Sequence, residues 1–257
     1  MKSLYLVFLL ASWSIAFHVF KRIRANDLGY KRGWSVFCVY FLLMMFILLI
    51  LWPGTWAWDD LWTINGIKNY DSFHAWQHFF TGLYQDVLLQ VFPFPGGIIL
   101  LQNVIVSVCV SFVVTKLEAT YNIVRLRNIF LDTILKVIPF LLPPVLMYQF
   151  SGYRIGLHIY LELVLLVILI CGNREKDEWC WPYTILLGLL SSIVATWRTE
   201  AFIYIPCVCV LSWLIKEEVL PKKKKYICII ISVLLSYASI IYKTKRLEIV
   251  IIRLFHY

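Results

Sequence analysis

Charged residues are scarce in this 257-residue chain, at 15%, and hydrophobic residues make up 61% of it. A soluble domain carries about a quarter charged and roughly half apolar residues. The composition therefore excludes an ordinary soluble domain and predicts an integral membrane protein. The chain also lacks a P-loop, a dinucleotide-binding glycine motif and paired CxxC cysteines, which argues against nucleotide-binding folds and structural zinc.

The formal net charge is +9, but the basic residues form short clusters between apolar runs. This pattern is typical of membrane topology, so we expect no nucleic-acid partner. The seven cysteines lie mostly in or beside apolar runs and are interpreted as small core hydrophobes. Nothing in the sequence indicates an oligomeric state.

Eight apolar runs approach the roughly 20 residues that a helix needs to cross a hydrocarbon core about 30 Å thick. They lie at about 3–20, 34–52, 96–115, 131–149, 153–172, 182–196, 201–215 and 226–242. The sequence predicts an all-α, polytopic helix bundle of about eight transmembrane helices, with residues 1–257 forming a single membrane domain. The runs at 182–196 and 201–215 are short and are expected to be tilted, broken or partly re-entrant.

Basic loops near 21–33, 116–130 and 216–225 fall on one side if the runs alternate, and the positive-inside rule makes that side cytoplasmic. The N-terminus is then outside, in a multi-pass protein of the cell membrane. The first run resembles a signal peptide, but without a small-residue cleavage site it is interpreted as a retained helix. The segment Pro221 to Lys225 is interpreted as a cytoplasmic stop signal with no role in a site.

The basic tail at 243–257 contradicts this alternation, because it falls on the predicted outer side. Either the last run does not cross, or the chain is a shortened form of something longer.

The long loop at 53–95 is predicted to face outward and to contain an amphipathic helix lying at the membrane surface. Its apolar face contains Phe73, Trp76, Phe79, Phe80, Leu83, Val87 and Leu88, and its polar face contains His74, Gln77, His78, Thr81 and Gln85.

Asp59 and Asp60 follow a Pro-Gly turn in this loop and lie between tryptophans at the end of the second run. Acids at a membrane boundary are often merely hydrated. Here the surface helix is expected to cover them, and a carboxylate shielded from water holds a proton more readily, which suits a general base. At least one of the two acids is therefore a candidate catalytic residue.

His74 and His78 have the i, i+4 spacing that places two imidazoles on one helical face, as in some metal sites. Two ligands do not make a site, so polar-face histidines that contact substrate are the favoured interpretation and a divalent metal is the alternative. Arg198 and Glu200, in the turn "TWRTEAF", are costly to place at membrane depth and are candidate substrate-binding residues. The alternative is that both are simply solvated at a short turn. Arg198 suits a lipid-linked phosphate, and Arg154 is a weaker candidate for the same role.

The motifs "WPGTWAWDD", "HAWQHFFTGLY" and "WRTEA" resemble those of the GT-C superfamily of membrane glycosyltransferases. The resemblance implies a polyprenyl-phosphate sugar donor, and an outward acid that acts as the general base or, in some members, as a metal ligand. Asp59 matches that acid best, with Asp60 second, and Arg198 is the candidate for the donor phosphate. No cofactor is implied apart from this possible metal, and the expected partners are membrane lipid and the donor. A transporter or flippase of lipid-linked saccharide, or an inactive fragment of a transferase, are the alternatives.

Overall fold

The computed structural model describes residues 2–25, 27–58, 60, 61, 64, 79–153, 155–172, 174 and 177–255. Within these residues the chain is mostly helical, and the one β-type pairing is an isolated bridge between Thr55 and Ser151. This confirms the predicted all-α class. The chain divides into two compact units: unit 1 contains Met1–Ala57 and Tyr84–Leu157, and unit 2 contains Trp58–Leu83 and His158–Tyr257.

The described helices follow one another along the chain. They are α1 (Lys2–Arg24), α2 (Leu28–Leu51), α3 (Phe79–Val91), α4 (Pro95–Tyr121), α5 (Ile129–Val137), α6 (Pro143–Gln149), α7 (Ile155–Gly172), α8 (Trp181–Trp197), α9 (Tyr204–Leu214) and α10 (Lys222–Phe255). Two 3₁₀-helices, Ile138–Leu141 and Thr199–Ile203, lie within the connections before α6 and α9.

Four helices of the described chain are long and apolar enough to cross a membrane: Leu28–Leu51, Pro95–Tyr121, Ile155–Gly172 and Lys222–Ile241. They match the predicted runs at 34–52, 96–115, 153–172 and 226–242, so the chain has the features of a membrane protein. The other four crossings stay predictions. Helix α10 continues to Phe255, which makes the backbone of the predicted 243–257 tail helical up to that residue.

The apolar length of the run at 131–149 predicted one straight helix, but the structure has a bent pair of helices there. Helix α5 and the following 3₁₀-helix are bent by 80° from α6. Leu142 has an extended backbone, with ψ of 137°, and Pro143 begins α6. A proline disfavours helical backbone in the residue before it and cannot donate to the preceding turn, so Pro143 forces the break.

Helices α8 and α9, with 17 and 11 residues, are shorter than a full crossing, as their short runs predicted. Arg198 separates α8 from the 3₁₀-helix with φ of −125° and ψ of 154°. Pro206 stands in the first turn of α9, where it removes the hydrogen bond that would continue the helix back to Phe202. The polar turn therefore falls at a real interruption of the apolar chain.

Unit 1 is built on the antiparallel pair α2 and α4. Val36, Tyr40, Met44 and Leu48 of α2 recur every four residues and are fully buried. The opposite face of α2 leaves large apolar side chains exposed, as a lipid-facing surface requires. Near the first turns of α2, the Ser111 hydroxyl donates to the carbonyl oxygen of Gly33 at 2.7 Å.

In unit 2, α8 packs closely on α10 through small residues. A Cβ atom on Gly188 would lie 2.9 Å from Cγ2 of Ile231, so only glycine allows this approach. The hydroxyls of Ser191 and Ser232 hydrogen-bond across the interface. Small and hydroxyl residues are what close packing between apolar helices in lipid requires.

Two lysines of the segment predicted to be a cytoplasmic stop signal, Lys224 and Lys225, are buried. Lys224 donates to the Trp179 carbonyl and forms an ion pair with Glu178 at 2.7 Å. Lys225 donates to the carbonyls of Trp213, at 2.8 Å, and Ile215. These last carbonyls lie at the end of α9, where a helix has unpaired acceptors and a negative dipole end. These two lysines therefore serve the interior of unit 2, and the cytoplasmic stop signal stays a prediction.

Candidate functional site

The Pro-Gly turn ahead of the two acids is held firmly within unit 1. Gly54 has a φ of 106°, and a Cβ atom there would lie 2.8 Å from the Phe150 carbonyl oxygen, so the position requires glycine. The Thr55 amide donates to that same carbonyl at 2.8 Å. Trp56 packs against Gly152, where a Cβ atom would lie 2.4 Å from the indole ring. The chain is thus fixed in place just before the acids begin.

The end of α6 and the non-helical backbone that follows it give this turn its partners. The four carbonyls from Gln149 to Gly152 all accept hydrogen bonds. Gln102 Nε2 donates to the carbonyls of Gln149, at 2.8 Å, and Ser151, at 3.1 Å. Gln85 Nε2 donates to the Gly152 carbonyl at 2.7 Å. Irregular backbone at membrane depth is tolerated only where such donors are supplied.

Gln85 was assigned by its periodicity to the polar face of the surface helix, and this assignment is wrong. The residue lies in α3 and is fully buried, and its neighbours Val87 and Leu88 are at most 8% exposed. Its side-chain amide donates a hydrogen bond to the Gly152 carbonyl, so this polar residue satisfies a backbone acceptor inside unit 1. Residues 70–78 of the predicted surface helix lie outside the described part of the chain.

Asp60 is buried, with 2% of its surface exposed. It belongs to unit 2, together with the chain that carries Arg198 and Glu200. A carboxylate is costly to remove from water, and an ionisable group at membrane depth is by default a candidate for function. Asp59, His74, His78 and Arg154 lie outside the described residues, so their predicted roles stay predictions.

The polar turn after α8 positions Arg198 at the edge of unit 2. The side chain is half-buried, and its carbonyl accepts a hydrogen bond from the Ala201 amide at 3.2 Å. Glu200 lies in the 3₁₀-helix Thr199–Ile203 that follows. Trp197, directly before Arg198, is buried. The break places Arg198 in the chain between a buried tryptophan and an irregular turn. A guanidinium is well suited to binding an anionic group.

A group that the sequence analysis missed adjoins this turn: His158 and Glu162 of α7 with Tyr204 of α9. His158 Nδ1 lies 3.1 Å from Glu162 Oε1, and Nε2 lies 3.1 Å from the Val194 carbonyl oxygen. The Tyr204 hydroxyl hydrogen-bonds Glu162. The His158 ring stacks on Trp197 at 6.3 Å between centroids. The available signal was a histidine and a glutamate four residues apart inside an apolar run.

A second polar group, which we call the charge cluster, joins α2, α4 and α5 in unit 1. Arg32 Nη2 lies 2.6 Å from Glu118 Oε1 and 2.5 Å from Asp132 Oδ2. Arg32 Nη1 donates to the Thr133 hydroxyl at 2.9 Å. Lys136 lies 2.9 Å from both carboxylates. Every carboxylate oxygen of the cluster has a donor, which is typical of a structural ion-pair network.

Among the described residues, no three His, Cys, Asp or Glu side chains are grouped so that they could hold a metal ion. The residues considered for a divalent metal, Asp59, His74 and His78, are outside that part of the chain. No family model matches the chain, and neither does any curated protein or solved structure. The function must therefore be inferred from the residues of unit 2.

Proposed function

We propose that the chain is a membrane glycosyltransferase that moves a sugar from a polyprenyl-phosphate donor to an acceptor hydroxyl on the outer face of the cell membrane. The observation that carries the proposal is that buried Asp60 belongs to the same compact unit as Arg198. A general base and a phosphate-binding group are the two charges that this transfer needs. The resemblance of "WPGTWAWDD" and "WRTEA" to GT-C motifs supports the same chemistry.

In the proposed reaction the acceptor hydroxyl gives its proton to a carboxylate of the Asp59–Asp60 pair as its oxygen bonds to the anomeric carbon. The bond from that carbon to the phosphate oxygen breaks, and polyprenyl phosphate leaves with the electron pair. Arg198 stabilises the charge that develops on the phosphate, because a guanidinium can donate two parallel hydrogen bonds to it. Glu200, His74 and His78 contribute substrate contacts.

The proposal includes eight crossings with the N-terminus and the 53–95 loop outside. This orientation is supported by the basic segments before α2 and after α4, which meet at one end of unit 1. There Arg32 and Arg125 both donate to Glu118, the latter from Nε at 3.0 Å. The opposite end of these helices holds the Pro-Gly turn, where Trp52 packs on Gly96. Labelling of an introduced cysteine at position 59 from the outside of whole cells tests this orientation. Labelling only from the cytoplasm would overturn it.

The decisive experiment is a transfer assay in proteoliposomes with polyprenyl-phosphate sugars and the Asp59→Asn and Asp60→Asn variants. Loss of the base should lower turnover at least about 100-fold in one of them, the usual size of a general-base contribution. The control is Asp86→Asn, because Asp86 is a half-buried acid of α3 with no role in the proposed reaction. The role of the acids is wrong if neither variant loses turnover.

A transporter of lipid-linked saccharide is the second candidate. Its supporting observation is that each unit contains an interrupted apolar helix, at Leu142 in unit 1 and at Arg198 in unit 2. Transporters use such breaks to expose backbone dipoles to a substrate. Movement of a labelled lipid-linked sugar across proteoliposomes, without covalent transfer, would favour this candidate over the transferase.

A further inference from the structure

The geometry of Glu162 differs from that of an ordinary buried ion pair. Its side chain is 23% exposed, whereas that of His158 is 4% exposed. His158 Nδ1 approaches one carboxylate oxygen from the preceding turn of α7, and the Tyr204 hydroxyl reaches the carboxylate from α9. Two helices thus orient one carboxylate while part of it stays accessible.

The environment of His158 shows how this orientation is maintained. Both ring nitrogens face acceptors, Glu162 Oε1 and the Val194 carbonyl oxygen, each at 3.1 Å. A neutral imidazole has one N–H, so both contacts are hydrogen bonds only when the ring is an imidazolium. Stacking on Trp197 and an edge contact with Tyr204, at 6.5 Å between centroids, fix the ring plane. The ring is therefore held beside Glu162, and its contact orients the carboxylate.

A carboxylate group offers about four positions for hydrogen bonds, and His158 and Tyr204 occupy two of those of Glu162. The remaining capacity suits hydroxyl donors, and the neighbouring rings supply the apolar walls that ligand sites combine with a few polar groups. Arg198, the proposed phosphate-binding group, directly follows Trp197 in the chain. In the donor, the sugar is attached directly to the phosphate, so a hydroxyl-binding group in the same unit as Arg198, with its partner His158 stacked on the preceding Trp197, suits the sugar.

We propose that Glu162 binds a hydroxyl group of the donor sugar and that His158 and Tyr204 are positioning residues for it. This inference rests on the proposed function, since it requires a polyprenyl-phosphate sugar as the ligand. It adds a specificity-determining residue for the sugar to the base and the phosphate-binding arginine.

The test compares two kinds of probe bound to the protein in lipid nanodiscs. One is bare polyprenyl phosphate, and the other is polyprenyl phosphate linked to mannose, glucose, galactose or N-acetylglucosamine. Wild type should bind at least one linked probe more tightly than the bare one. Glu162→Gln should lose about tenfold of that preference, the size of one charged hydrogen bond, and should keep its affinity for bare polyprenyl phosphate.

Tyr204→Phe should lose a smaller part of the preference, about threefold, and should keep its thermal stability. A purely structural role of Tyr204 would instead lower thermal stability without changing the preference. The control is Glu217→Gln, because Glu217 is an exposed acid of unit 2 paired with Lys222 at 3.3 Å. If Glu162→Gln retains the preference, this inference is wrong and the proposed function stands. If wild type binds neither kind of probe, the proposed function fails and the inference fails with it.

Discussion

Arg32 is expected to contribute more to stability than any exposed basic residue of unit 1, and the substitution that tests this is Arg32→Met. Its side chain is 6% exposed and links Glu118 with Asp132, whose side chains are 1% and 3% exposed. Methionine preserves the apolar stem and removes the guanidinium. Two buried carboxylates then lose the cation that bridges them, and the Thr133 hydroxyl loses its donor.

Removing one partner of a buried ion pair costs about 3–5 kcal/mol, because the other charge stays buried without compensation. Lys136 remains 2.9 Å from both carboxylates, so they keep one cation. The expected loss for Arg32→Met is therefore at the lower end of that range, about 3 kcal/mol. Arg125→Gln removes another donor to Glu118, but the side chain is 51% exposed, so its loss should be only about 0–1 kcal/mol.

The free energy of unfolding can be compared in mixed micelles, with increasing SDS and tryptophan fluorescence as the readout. The double variant Arg32→Met with Glu118→Gln separates charge from packing. Glutamine removes the uncompensated buried charge, so the double variant should be less destabilised than the sum of the two single variants. Equal losses of unfolding free energy for Arg32→Met and Arg125→Gln would refute the assignment of the charge cluster as a structural ion-pair network.

Two further substitutions test buried donors in the same way. Lys225→Met leaves the carbonyls of Trp213 and Ile215 without their shared donor and should lower the free energy of unfolding by about 1–3 kcal/mol. Its control is Lys223→Met, at an exposed position of the same helix, which should lower it by under about 0.5 kcal/mol in the same assay. Gln85→Leu leaves the Gly152 carbonyl unpaired and should cost about 1–3 kcal/mol, and the exposed neighbour Gln90→Leu is its matched control. A loss from Lys223→Met or Gln90→Leu as large as that of its buried counterpart would contradict the importance of these contacts.

Local sequence signals were sufficient for most of the helices. Apolar length predicted the four long candidate spans, and the ends of helices follow local chemistry. Asp27 accepts hydrogen bonds from the amides of Gly29 and Tyr30 at the start of α2, and Asn128 does the same at the start of α5. The break at Pro143 also has a local cause, but hydropathy alone averages over it and predicted one helix at 131–149.

The polar residues of the interior could not be assigned from local pattern, because their partners are distant in the chain. Gln85 looks like a surface residue until Gly152 is placed beside it, and the two are separated by 67 positions. The burial of Lys224 and Lys225 could not be predicted, because their acceptors are carbonyls of other segments. In a membrane protein, the backbone breaks determine which polar side chains are needed inside, and those breaks meet their donors only in the folded chain.

Glu118 and Glu162 differ in the property that separates a structural ion pair from a ligand site. Glu118 is 1% exposed and accepts from Arg32, Arg125 and Lys136, so its oxygens are saturated by residues of the protein. Glu162 is 23% exposed and is oriented by His158 and Tyr204. Orienting a charged group while leaving acceptor capacity open has a cost in stability that a purely structural contact would not incur. That cost is understandable if a ligand supplies the missing donors, which is why Glu162 and not Glu118 is assigned to the sugar.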